Sequence, residues 1–71
     1  MEEKIIEILK QVLETPYVDA DTMQENCENW DSLHQLNLAM ELEEAFDVNL
    51  EPEEISEMKS VKDIVRILGA K

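Results

Sequence analysis

Residues 32–46 read Ser32-Leu33-His34-Gln35-Leu36-Asn37-Leu38-Ala39-Met40-Glu41-Leu42-Glu43-Glu44-Ala45-Phe46, with no Gly or Pro among them. Ser32 and Gln35 stand at the spacing of a capping box, so a helix is expected to begin at Ser32. At about 100° per residue its apolar side chains separate into two groups. Leu38, Ala39, Leu42, Ala45 and Phe46 share one broad face; Leu33, Leu36 and Met40 fall on the opposite side. A helix packed against one neighbour needs a single apolar stripe. The broad face reads as core. The narrow one has two readings: a surface turned outward, or a patch covered by the preceding segment near Trp30. Glu43, Glu44 and Asp47 flank it toward the far end, and an apolar centre with an acidic edge is the pattern of a docking surface.

The rest of the chain follows from that helix outward. On the N-terminal side, Ile5, Ile8, Leu9, Val12 and Leu13 recur at helical spacing over residues 2–14. Glu2 and Glu3 suit the dipole of that helix, and Pro16 is expected to stop it. Residues 15–31 hold no period. A connection of that length is uncommon in a compact domain unless it is functional or tied down; Tyr17, Val18, Met23, Cys27 and Trp30 are the residues that would pin it. On the C-terminal side, Pro52-Glu53-Glu54 opens a short third helix with Leu50, Ile55 and Met58 turned inward. Ser60 caps a last helix with a stripe of Val61, Ile64, Val65 and Leu68, and Gly69 ends it. The expected fold is all-α: a single domain over residues 1–71, an irregular bundle of three longer helices and one short third helix, with a long loop between the first two.

Composition narrows the function. The chain has 71 residues, 44% hydrophobic and 34% charged, with one Gly and two Pro. That is too apolar and too poor in breakers for a disordered segment, and a domain this small buries only about 60% of its unfolded surface. Eighteen Asp and Glu against six Lys and Arg leave a formal net charge of -12. Such a field repels nucleic acid and anionic membranes and steers basic proteins toward it, although acidity also serves solubility alone. Cys27 is the single cysteine, so neither an intramolecular disulfide nor a cysteine zinc cluster is expected. The chain opens on Met1-Glu2-Glu3, unlike a targeting peptide, and holds no apolar run of membrane-spanning length. A cytoplasmic, free-standing monomer with no membrane insertion is the expectation.

Ser32 is where chemistry would sit. A helix N-terminus offers free N–H groups and a dipole that favour an anion, so a phosphodiester on the Ser32 hydroxyl would be stabilised there; the same position equally suits a plain cap. A Ser32 nucleophile served by His34 fails on geometry, because residues two apart on a helix point about 200° from one another. Asp19-Ala20-Asp21 opens like a calcium loop, but Gln24 and Trp30 occupy the places of its Gly and its bidentate Glu. No catalytic residue and no metal site are expected.

Asn29-Trp30-Asp31-Ser32-Leu33, then Leu38 through Asp47, then Glu51-Pro52-Glu53-Glu54-Ile55, together resemble the acyl carrier protein family, and a weaker likeness runs from the first helix through Ser60-Val61-Lys62-Asp63-Ile64. The resemblance implies an irregular four-helix bundle and a Ser32 that receives 4'-phosphopantetheine from coenzyme A through a magnesium-dependent phosphopantetheinyl transferase. It implies that Asp31 helps to present Ser32 to that enzyme. Leu33, Leu36, Met40, Glu43, Glu44 and Asp47 would then meet acyl-transferring or acyl-modifying enzymes through basic docking patches. Leu42, Phe46, Leu50, Ile55, Met58, Val61 and Ile64 match positions that can shelter an acyl chain. Trp30 and Asn29 stand where common fatty-acid carriers have a small residue and Gly, and His34 and Asn37 where those carriers often have acids. These departures point to a specialised rather than a housekeeping carrier, delivering acyl groups to enzymes of fatty-acid, lipid or specialised-metabolite biosynthesis. An aminoacyl carrier follows the same logic. The rival from another class is a helical adaptor that docks through Leu33, Leu36 and Met40 and carries nothing.

Overall fold

A computed structural model describes residues 2–71. It contains α1 (Glu2–Val12), α2 (Ser32–Phe46), α3 (Pro52–Glu57) and α4 (Val61–Gly69), with a single 3-10 turn at Gln24–Asn26 in the long loop. Helix α1 packs against both α2 and α4, and α3 rests on α2. Ile5, Leu9, Leu13, Leu38, Leu42, Met58, Val61 and Ile64 have no exposed surface, so every helix, or the residue next to it, contributes to one core.

The first helix is shorter than its apolar period suggests, and Pro16 is not what stops it. Glu14 adopts the left-handed region at φ 54°, and the Thr15 N–H reaches back to the Lys10 carbonyl at 3.2 Å. That is the Schellman closure, usually built on Gly. An L-residue there costs about 1–2 kcal/mol, part of which Gly gives back in chain entropy. Glu14→Gly is therefore expected to stabilise the domain by up to about 1 kcal/mol, read as a higher urea midpoint at unchanged slope; a lower midpoint would contradict the assignment. The other end of the bundle also departs from expectation. Gly69 lies inside α4 rather than closing it, and Ala70 follows in a right-handed helical conformation.

The long loop is held by a few specific bonds. Val18, Thr22 and Trp30 are buried and Cys27 is half-buried, whereas the side chains of Tyr17 and Met23 remain exposed and do not pin the loop to the core. Asn29 donates its side-chain amide to the Leu13 carbonyl at 2.8 Å. A one-pair bridge then links Met23 to Ser60, with the Gln24 N–H on the Lys59 carbonyl at 2.8 Å and the Val61 N–H on the Thr22 carbonyl at 3.0 Å. Asp19 is occupied in a local turn, accepting the Asp21 N–H at 2.8 Å. These ties fix where the loop delivers Trp30 and Asp31 at the start of α2.

The last two helices begin as their caps dictate. The Ser60 hydroxyl accepts the Asp63 N–H at 3.0 Å. Pro52 takes the first position of α3, where no N–H is needed, while the Glu54 carboxylate accepts the Glu51 N–H at 2.9 Å. In α4 the buried stripe is Val61, Ile64, Ile67 and Leu68, so Ile67 rather than Val65 completes it. Among the described residues no helix is long and apolar enough to cross a membrane.

Candidate functional site

The start of α2 differs from its sequence reading in one consequential way. Asp31, not Ser32, is the cap: its Oδ1 accepts the His34 N–H at 2.9 Å, and the His34 ring nitrogen Nδ1 lies 2.8 Å from the same oxygen. Ser32 is the first residue of the helix, and its hydroxyl makes no hydrogen bond among the described residues. Gln35, expected to close a capping box, is turned into the core instead. The cause is steric and chemical: a carboxylate one residue earlier reaches the third helical N–H and outcompetes the weaker hydroxyl. Ser32 is left exposed, with a free side chain, at the positive end of a four-turn helix.

Its backbone setting suits an anion. The Asp31 N–H bonds to the Asn29 carbonyl at 3.0 Å and the Gln35 N–H to the Asp31 carbonyl at 2.9 Å. Between them the Ser32 N–H finds no acceptor among the described residues, so it remains available beside its own hydroxyl.

The His34 backbone N–H, and after it the His34 ring, hold the Asp31 carboxyl below the usual carboxylate range. Because that carboxyl titrates lower in the folded chain than in the unfolded one, the cap acts fully above the ordinary carboxylate range and is lost as pH falls through the folded value. Protection of the His34 amide against hydrogen exchange should therefore drop on strong acidification in the wild type and change little over the same interval in Asp31→Asn. A wild-type profile that stays flat would remove Asp31 as the cap.

Along α2 the two apolar faces separate as their angular positions require. Leu38, Ala39 and Leu42 are buried, while Leu33, Leu36 and Met40 are 67%, 58% and 65% exposed. The reading in which the loop covers Leu33 and Leu36 is overturned, because Trp30 turns inward and is itself buried. Glu44 and Asp47 are exposed at the edge of this face. Glu43 has a structural duty: half-buried, it accepts the Leu50 N–H at 2.8 Å and ties down the turn between α2 and α3. Asp47 sits in the left-handed region at φ 53°, where a short acidic side chain is better tolerated than most. A shallow cleft lined by Gln11, Val12, Asn37, Met40 and Glu41 continues the outer face onto α1.

The positions matched to an acyl shelter form closed packing. Leu42, Met58, Val61 and Ile64 are fully buried and Leu50 nearly so; Phe46 and Ile55 are half-buried. The Lys4 ammonium lies 5.7 Å from the Phe46 ring centroid and covers it. Of three surface clefts, none is lined by any of these residues.

One residue of the site escaped sequence reasoning. The Gln35 side chain accepts the Trp30 indole N–H and donates to the carbonyls of Ile55 at 2.6 Å and Met58 at 2.9 Å. The signal was available. By the angular count Gln35 lies on the broad apolar face, and a polar residue there must find buried partners.

Comparison with known proteins agrees with this geometry. The pattern of the family described as "Phosphopantetheine attachment site" matches residues 3–68. Among solved structures, a Mycobacterium tuberculosis protein assigned as an acyl carrier protein superposes with a TM-score of 0.86 at 26% sequence identity, over 97% of this chain and 95% of that one. Among curated proteins none matches the chain at a significant level.

Proposed function

We propose, from the premise that this chain belongs to the phosphopantetheine attachment family of acyl carrier proteins, that Ser32 bears the prosthetic group and that the protein delivers acyl intermediates to partner enzymes without catalysing a reaction itself. The group of this family is 4'-phosphopantetheine, which supplies a terminal thiol able to hold an acyl group as a thioester. The observation that carries the assignment to Ser32 is its freedom: an exposed hydroxyl, unbonded among the described residues, on the first residue of α2 while Asp31 caps the helix. The residues present fit the group. The Ser32 N–H and the helix dipole would hold the phosphate, and the exposed first turn would admit a transferase active site.

Asp31 keeps one carboxylate oxygen for the His34 contacts. The other is free to face the transferase beside Ser32. Leu33, Leu36 and Met40 would supply the apolar centre of the docking surface, and Glu44 and Asp47 its steering edge. Trp30, His34 and Asn37 support a specialised pathway, and a cytoplasmic location belongs to the same proposal.

Incubation with an acyl coenzyme A, Mg2+ and a promiscuous phosphopantetheinyl transferase should give an adduct whose acyl portion hydroxylamine releases. An adaptor that carries nothing would gain no mass. On the docking side, Glu44→Lys should slow association with a basic partner enzyme by roughly tenfold at low salt and leave folding unchanged. An unchanged on-rate would remove Glu44 from the surface.

A further inference from the structure

Gln35 is the one polar residue among those that α2 buries, and both its amide oxygen and its amide nitrogen are bonded. Its oxygen takes the Trp30 indole N–H; its nitrogen spans the Ile55 and Met58 carbonyls at the end of α3. The set ties together three parts of the chain: the segment leading to Ser32, the first turn of α2, and the far end of α3. It lies one turn from Ser32 on the inner side of the helix. Beyond it Leu42, Met58 and Ile64 are packed with no exposed surface.

An acyl chain reaching inward from Ser32 between α2 and α3 would have to part those helices. Parting them breaks both Gln35 bonds to α3; the one to the Met58 carbonyl is buried, and buried groups left unpaired are costly. Each methylene of a chain returns only a small, fixed gain on burial. Chains as long as octanoyl do not offset the loss of these bonds together with the disturbed packing of Leu42, Met58 and Ile64, and a polar chain gains nothing by entering.

We infer that Gln35, braced by Trp30, determines the cargo: it bolts α3 to the start of α2, keeps the apolar interior shut, and leaves short or polar acyl groups displayed on the surface. The inference rests on the carrier reading, which intact mass tests separately at the loading step.

The test uses the wild-type protein loaded with acetyl, butyryl and octanoyl thioesters, each confirmed by mass. Hydroxylamine cleavage is compared with the same acyl groups on free pantetheine. The expected ratio of rates is the same for all three chains within about twofold, because none gains burial. An octanoyl ester protected about tenfold more than acetyl would overturn the inference. Trp30 is the only tryptophan, so its indole N–H reports the brace directly. Its exchange rate should not change on octanoyl loading, and faster exchange would overturn the inference as well. Trp30→Phe removes one donor and keeps the two bonds to α3, and Gln35→Met removes all three. Octanoyl protection should appear in Gln35→Met and be smaller in Trp30→Phe. Folded variants that protect octanoyl no better than wild type would show that Gln35 is not the determinant.

Discussion

Gln35→Leu is expected to cost about 3 kcal/mol, more than any other exchange of a polar for an apolar residue in the chain, because it strands two buried groups at about 1–3 kcal/mol each. The stranded groups are the Trp30 indole N–H and the Met58 carbonyl; the Ile55 carbonyl retains the Met58 N–H at 3.2 Å. Leu preserves the apolar volume, so a cavity does not confound the result. For a domain of this length total stability is about 4–10 kcal/mol, and the variant should unfold at a much lower urea concentration. A loss below about 1 kcal/mol would show that the bonds hold little and that α3 is secured by packing alone.

Ser32→Ala is expected to do the reverse: abolish modification and leave the fold nearly unchanged. Were Ser32 the cap, its loss would cost about 1 kcal/mol. Asp31 performs that duty, with His34 bonded to it at 2.9 Å, so stability should shift by no more than about 0.5 kcal/mol, as for an exposed site. A substitution with a complete chemical effect and almost no structural one separates an attachment residue from a structural residue. A large loss of stability in Ser32→Ala would mean that the hydroxyl is engaged in the helix start.

The helices were readable because periodicity and breakers act locally. Pro52, the Ser60 cap and the uninterrupted run from Ser32 to Phe46 each placed an element where it stands. The two faces of α2 were equally readable, since angular position alone decides which side Leu36 or Leu42 takes. What could not be read were competitions between groups that local grammar treats as equivalent. Asp31 and Ser32 are both good caps, and the winner depends on which oxygen reaches the His34 N–H. Glu14 carries no sign that it would close α1 in a left-handed conformation ahead of Pro16. Gln35 fitted a capping box by spacing, yet its partners Ile55 and Met58 lie 20 and 23 residues further on, beyond the reach of any local rule. The loop was the least legible part. Its ties are single bonds such as Asn29 to Leu13, and exposed Tyr17 shows that an aromatic side chain does not by itself indicate core.

The carrier account and the adaptor account share the docking face and part at the hydroxyl of Ser32. Wild type and Ser32→Ala, incubated side by side with coenzyme A, Mg2+ and a promiscuous phosphopantetheinyl transferase, give the decisive comparison by intact mass. Wild type should gain the mass of one phosphopantetheine arm and Ser32→Ala none, with both proteins folded. A wild type left unmodified while an established carrier is modified under the same conditions, or a Ser32→Ala variant that still gains the arm, would contradict the account.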